Sequence, residues 1–167
     1  MKHWIALAVG LLASASAMAQ AWPTKPIRFI VPFTAGSGTD IIARTVGDTM
    51  AKGLGQPIII ENKPGAGGTI AAAQVAKSEP DGYTILVHSS GHVVNPAIYT
   101  NLSYDTLKDL SGVVPMAALP NVLVVAPNRG WKTVGDLVAE AKAKPGKLNY
   151  ASAGVGAATH LNAEKFK

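Results

Sequence analysis

The sequence contains no cysteine. This absence excludes a disulfide framework, thiol catalysis and any metal site that depends on cysteine ligands. Aromatic residues make up only 6% and charged residues 15% of the chain, while 48% of its residues are hydrophobic, which is typical of an α/β protein with an ordinary core. The formal net charge is +5, but the basic residues are scattered and not interleaved with aromatics, which argues against a nucleic-acid surface.

Residues 1–21 have the features of a cleavable export signal. Lys2 supplies a positive charge, residues 4–12 form an apolar run, and small-x-small cleavage sites end at Ala19 and Ala21. The apolar run is too short to span a bilayer. We therefore predict export of the chain to a bacterial-type periplasm.

Strand and helix patterns alternate over the first half of the chain. Apolar strand patterns occupy residues 27–31, 57–61 and 84–87, and helix patterns occupy residues 39–54 and 67–77. The connections between them are short. This rhythm predicts right-handed βαβ units and a parallel sheet.

The second half of the chain repeats this alternation less regularly. Strand-like runs cover residues 112–118 and 121–126, and a change of organisation is expected between them. Thr133 is expected to cap a helix that reaches about residue 144, and a short strand is expected at residues 149–152. The predicted buried face of that helix comprises Val134, Leu137, Val138 and Ala141. A last helix pattern reaches residue 167 without a stop signal, so we expect a truncated piece of a longer fold.

Three turns rich in glycine and hydroxyl residues each connect a predicted strand to a predicted helix. Such turns direct backbone N–H groups towards one point, where the helix dipole adds positive charge, so they predict an anion site at the carboxyl edge of the sheet. Neither G-x-G run completes a dinucleotide motif, and no P-loop motif occurs. The candidate ligand-binding residues in these turns are Thr34, Gly36, Ser37, Gly38, Thr39 and Asp40, then Gly65, Ala66, Gly67 and Gly68, and finally Ser152, Gly154, Gly156, Thr159 and His160.

Two histidines lie four residues apart in a predicted loop at residues 88–92, which precedes an irregular stretch at residues 95–110. His88 and His92 have no accompanying glutamate or third ligand, so local hydrogen bonding is favoured over zinc binding. A secreted α/β hydrolase that uses Ser89 or Ser90 with His92 stays open as an alternative, and it would need a carboxylate beside the histidine. Asp40 is expected to compensate the dipole of the first predicted helix, and a bond to the ligand stays open as a second role.

Several longer motifs occur in a fixed order along the chain. They read Pro-Ile-Arg-Phe-Ile-Val-Pro-Phe at residues 26–33, Glu-Asn-Lys-Pro-Gly-Ala-Gly-Gly at 61–68, Asp-Gly-Tyr-Thr at 81–84 and Pro-Gly-Lys-Leu-Asn-Tyr-Ala-Ser-Ala-Gly at 145–154. In these motifs the chain resembles the Bug/TctC-type extracytoplasmic solute receptors of tripartite tricarboxylate transporters.

The resemblance implies a two-lobe periplasmic binding protein of the Venus-flytrap type, truncated, with residues 22–121 in lobe one and residues 122–167 beginning lobe two. It implies a non-enzymatic receptor that binds a small di- or tricarboxylate through backbone amides and small hydroxyls, and it adds Ser89 and Ser90 to the candidate site. No metal or cofactor is implied. The implied partners are the solute and the membrane subunits of the transporter, with the receptor itself monomeric. A non-functional truncated remnant of such a receptor stays open as an alternative.

Overall fold

The computed structural model describes residues 22–167, and the predicted export signal lies outside the described residues. The strands are β1 (Ile27–Val31), β2 (Ile58–Asn62) and β3 (Thr84–Leu86). The α-helices are α1 (Gly38–Leu54), α2 (Thr69–Ala76), α3 (Gly91–Ile98), α4 (Val134–Ala143) and α5 (Ala158–Phe166), with short 3₁₀ turns at Ala66–Gly68 and Pro127–Arg129. Within the described residues, no helix combines the length and hydrophobicity that crossing a bilayer requires.

The three strands form a parallel sheet in the order β2-β1-β3, which confirms the predicted α/β class. β1 is central because both of its faces are apolar. Ile27, Phe29 and Val31 pack on one face against Ala43 of α1. Ile30 packs on the other face against Ala71 and Val75 of α2. This alternation follows the two-residue period of a strand and places one helix on each face of the sheet.

The first predicted helix is confirmed almost to the residue. Ser37 is the N-cap of α1, and its hydroxyl accepts a hydrogen bond from the Asp40 amide at 3.3 Å. Gly55 ends the helix in a left-handed conformation with φ of 68°. The helix therefore begins at the carboxyl end of β1, where the first glycine turn was predicted.

The strands predicted at residues 112–118, 121–126 and 149–152 are wrong. The structure has no paired strand there, because no neighbouring strand within the described part of the chain offers a hydrogen-bonding ladder. Val113 and Val124 are 79% and 80% exposed. The segment instead crosses the sheet, since Leu110 packs against the α2-side core and Met116 against the α1-side core.

Two expectations about helices also need correction. The loop predicted at residues 88–92 and the irregular stretch after it contain α3, so His92 lies in the first turn of a helix. The predicted cap of α4 is confirmed, because Thr133 and Asp136 form a reciprocal capping box. Its predicted buried face is wrong, since no residue of α4 is buried and Val134 is 56% exposed. Leu137 and Val138 are only partly covered.

Candidate functional site

The candidate site lies at the carboxyl ends of the three parallel strands. The segments that follow β1, β2 and β3 all leave the sheet at this edge, because the strands are parallel and adjacent. These segments contain the first two glycine turns and the residues 88–91. The sequence pattern therefore brings its predicted polar loops to one edge, as ligand sites in open α/β sheets require.

The first turn is held by Asp40, which is only 1% exposed. Its carboxylate accepts hydrogen bonds from the Gly36 amide at 2.8 Å, from Arg44 Nε at 3.0 Å and from Asn62 Nδ2 at 2.9 Å. The hydrogen bond from Arg44 is the main reason why the pKa of Asp40 falls from 3.8 to about 2. Asp40 is thus ionised at neutral pH and joins the first turn to the end of β2. Thr34 and Gly38 are exposed at the surface of this turn.

The second turn has an unusual backbone. Gly65, Ala66, Gly67 and Gly68 have φ angles of 132°, 45°, 60° and 91°, four positive values in succession. Ala66 is the one non-glycine residue with positive φ among residues 22–167. Glycine adopts positive φ without a steric cost, but at Ala66 such a conformation costs about 1–3 kcal/mol and persists where neighbouring contacts impose it. The contacts that impose this turn come from residues 88–99.

Helix α3 joins the second turn to the third. Asn95 Nδ2 donates a hydrogen bond to the Gly67 carbonyl at 3.3 Å. One helical turn later, the Tyr99 hydroxyl donates to the Val155 carbonyl at 3.3 Å. Asn95 in α3 and Tyr99, the residue that follows α3, therefore hold two turns that are about ninety residues apart in the sequence.

The same two turns approach each other so closely that side chains would not fit between them. A Cβ atom on Gly91 would lie 2.6 Å from the Gly156 carbonyl oxygen, and one on Gly67 would lie 2.9 Å from the Val155 carbonyl oxygen. Gly156 also lies beside the Asn95 side chain. The structure thus brings the second turn, α3 and the third turn into direct contact, with little space left between them.

His88 closes the inner side of this cluster. Its Nδ1 lies 2.8 Å from the Ser89 amide, which donates to it, and 3.1 Å from the Ser89 carbonyl oxygen, while its Nε2 faces the second turn. Burial, reinforced by the neighbouring His92, lowers the pKa of His88 from 6.5 to about 4. Burial also lowers the pKa of His92, whose ring stacks on that of Tyr104. Both histidines are neutral at pH 7.

The polar residues of the third turn bind their own backbone. The Thr159 hydroxyl accepts from the Ala153 amide at 3.1 Å, and the Ser152 hydroxyl accepts from the Gly154 amide at 3.3 Å. His160 Nδ1 accepts a long bond of 3.4 Å from the Gly156 amide. A solute that took up these amides would have to replace the side-chain oxygens and the imidazole nitrogen.

The described residues do not complete a hydrolase triad. His92 Nδ1 is buried without a hydrogen-bond partner in the described part of the chain, so no carboxylate orients the ring. Ser90 is exposed at the start of α3. The described residues also contain no group of three or more potential metal ligands among histidine, aspartate and glutamate.

A surface cleft of about 270 Å³ lies elsewhere, between α1 and the outer edge of β2. It is lined by Arg44, Gly47, Asp48, Ile58 and Ile60. It includes none of the residues of the glycine turns. We therefore place the candidate site at the converging turns, where strained backbone and buried polar groups coincide, and not at this cleft.

This geometry defines a class of protein, an α/β protein whose candidate site is built from backbone turns at the carboxyl edge of a parallel sheet. Residues 42–167 match the sequence model of the family described as tripartite tricarboxylate transporter family receptor. The chain belongs to this family, as the motifs predicted.

The relatives include two proteins of Bordetella pertussis. One, described as a UPF0065 protein, is 45% identical over 158 residues, covering 94% of this chain and 49% of the relative. The other, protein BugT, is 37% identical over 156 residues, covering 92% of this chain and 48% of the relative. The chain thus spans about half the length of the curated relatives that it matches.

Solved structures share the fold. A structure described as a periplasmic transporter is 44% identical, with a TM-score of 0.82 over 87% of this chain and 49% of that one. A Rhodopseudomonas palustris protein with adipate is 35% identical, with a TM-score of 0.83 over 87% of this chain and 49% of that one. MatC of the same organism, with bound malate, is 33% identical, with a TM-score of 0.76 over 87% of this chain and 50% of that one.

Proposed function

We propose that this chain acts as a periplasmic receptor that captures a small carboxylate and presents it to the membrane subunits of a tripartite tricarboxylate transporter. The observation that carries the proposal is the convergence of the second turn, α3 and the third turn at one point. In support, two similar structures contain adipate and malate, both of which are dicarboxylates.

The binding mechanism follows from the backbone. Helix N-termini and glycine turns offer amide donors to an anion without a fixed cationic side chain. The first turn supplies Ser37 and the N-terminus of α1, the second supplies Gly65–Gly68, and Ser89 follows β3. The third turn, with Ser152, Gly154, Thr159 and His160, approaches from the later part of the chain. The function requires binding and release only, so we propose no catalytic residue.

Because the second and third turns touch in this structure, a solute between them requires the turns to separate. We propose that residues 22–121 and 122–167 belong to two lobes that move apart about the extended segment near Pro120. This segment is exposed and makes no strand pairs within residues 22–167, so its backbone angles are free to change. Closure over the solute would then replace contacts between the turns with contacts to the solute.

Calorimetric titration of the purified chain with succinate, citrate and neutral succinamide tests the proposal. We expect at least one of the two anions to bind and succinamide to bind at least tenfold more weakly, because the amide donors of the turns recognise negative charge. If neither anion binds and L-malate and L-aspartate do not bind either, or if succinamide binds as well as the anions, the proposed function is wrong.

A matched pair of glycine substitutions locates the site. Gly91→Ala places a methyl group 2.6 Å from the Gly156 carbonyl oxygen, whereas Gly53→Ala places one where no atom lies within 4 Å. Both residues are helical and neither has positive φ. We expect Gly91→Ala to weaken carboxylate binding at least tenfold and Gly53→Ala to leave it unchanged. Equal affinities would put the binding site elsewhere.

A further inference from the structure

Asn95 is completely buried, with 0% of its surface exposed, yet its side chain is only half satisfied. Its Nδ2 donates to the Gly67 carbonyl, while its Oδ1 is buried with no hydrogen-bond partner in the described part of the chain. The orientation of the amide is fixed by chemistry, because a carbonyl oxygen accepts hydrogen bonds only and must therefore face the NH₂ group. The unpartnered atom is thus an acceptor.

The free acceptor lies at the contact between the second and third turns. Asn95 Oδ1 is 3.5 Å from the position of a Cβ atom on Gly156. Ser89 Oγ, also buried without a partner among residues 22–167, is 3.6 Å from the corresponding position on Gly91. Gly91 and Gly156 are themselves in contact. Two unsatisfied polar atoms therefore flank the place where the proposed solute would enter.

These two atoms differ in what they can bind. The serine hydroxyl can donate to a carboxylate oxygen, but the amide oxygen of Asn95 can only accept. An unsubstituted carboxylate has no donor to offer and would leave this buried acceptor unpaired, at a cost of about 1–3 kcal/mol. A hydroxyl or ammonium group next to the carboxylate would pair with it.

We propose that Asn95 Oδ1 accepts a hydrogen bond from a hydroxyl or ammonium group of the solute, so that the receptor selects hydroxy- or amino-substituted carboxylates. This inference rests on the proposed function, because it places the solute between the second and third turns. Asn95 then has two roles on one side chain. Its NH₂ group holds the strained second turn, and its oxygen recognises the hydroxyl or ammonium group of the solute.

The test compares ligands that differ by one group. The purified chain is titrated calorimetrically with succinate, L-malate, L-aspartate and 2-methoxysuccinate. We expect malate or aspartate to bind about tenfold more tightly than succinate, in line with one buried hydrogen bond. Methoxysuccinate keeps the oxygen but lacks the donor proton, so its affinity should fall to that of succinate or below.

Two substitutions assign the effect to the residue. Asn95→Leu keeps the side-chain volume and removes the acceptor, so the preference over succinate should fall to about one. Tyr104→Phe removes another buried hydroxyl that lacks a partner among the described residues, and it should leave the preference unchanged. The ligand series on the unmodified chain decides the matter even if Asn95→Leu does not fold, because it needs no substitution.

The outcomes separate the two proposals. If succinate, malate and aspartate bind equally, the acceptor is filled by a buried water and this inference is wrong, while the proposed function stands. A preference that survives in Asn95→Leu also overturns it. If no carboxylate binds at all, the proposed function fails and this inference fails with it.

Discussion

Gly68→Ala should be among the most destabilising single-methyl additions in the described chain. Gly68 has φ of 91°, and an added Cβ atom would lie 2.2 Å from His88 Nε2 and 2.9 Å from Pro32 Cβ. Pro32 is fully buried and cannot retreat, so His88 must rotate and break its bond to the Ser89 amide. We expect the free energy of unfolding to fall by about 1–2 kcal/mol because of the backbone conformation and by about 1–3 kcal/mol because of the close contact.

Two control variants separate these contributions. Gly36 has φ of 82° but nothing within 4 Å of an added Cβ atom, so Gly36→Ala should show the backbone cost alone. Gly53→Ala, with ordinary helical φ and open space, should be neutral or stabilising by up to about 1 kcal/mol. A midpoint shift of about 2–4 °C per kcal/mol is typical of domains of this size. For a total of about 3 kcal/mol, Gly68→Ala should therefore melt about 6–12 °C below the unmodified chain.

Thermal unfolding followed by circular dichroism gives the midpoints, and proton NMR of the histidine rings gives an independent signal. Displacement of His88 towards water should raise its pKa from about 4 towards the ordinary 6.5 in Gly68→Ala, but not in Gly36→Ala. If Gly68→Ala unfolds at the same temperature as Gly36→Ala, the contact between His88 and the second turn does not constrain the site. The account of the strained turn would then be refuted.

Three further predictions concern titration and the contact between turns. The fold lowers the pKa of Asp40 from 3.8 to about 2, so the ionised carboxylate adds about 2 kcal/mol to the free energy of unfolding above pH 4. This contribution is lost as the pH falls to 2. Urea titrations of Asp40→Asn should lack this acid dependence. The fold likewise lowers the pKa of His88 from 6.5 to about 4, so its contribution to stability should fall by up to about 3 kcal/mol as the pH is lowered between these values. His88→Gln should reduce the slope to the part that comes from His92, whose pKa burial also lowers. Tyr99→Phe removes the hydrogen bond to the Val155 carbonyl, which holds the third turn against the end of α3 and opposes solute entry. Calorimetry should therefore show a carboxylate affinity about threefold higher. An unchanged affinity would mean that this contact does not oppose solute entry.

The elements that could be predicted from the sequence are those whose causes are local. β1 is an apolar run bounded by prolines, and α1 has its cap and its stop within its own residues, Ser37 and Gly55. The capping box of α4 is likewise contained in Thr133 and Asp136. Parallel order followed from the alternation of these elements. In each instance the determining groups lie within a few residues of the structure that they determine.

The wrongly predicted strands depend on a partner outside their own residues. Val113 and Val124 lie in apolar runs that match strand composition, but a strand exists only where another strand accepts its hydrogen bonds. Composition measures the tendency of a segment and says nothing about its partner. The helix α3 was missed for a related reason. It contains Gly91 and Pro96, which usually interrupt helices, and its stability comes from contacts with the second and third turns.

The same distinction between local and distant causes applies to the residues of the site. The glycine turns were visible as motifs, because glycine is required at Gly68 by the backbone of its own turn. The role of Asn95 could not be predicted, since nothing in its neighbourhood of the sequence indicates that its side chain is buried against the turns. Its importance comes from burial between a turn about thirty residues earlier and another about sixty residues later. A buried acceptor without a partner is a property of the folded arrangement, and it points to a solute that carries a donor as well as a negative charge.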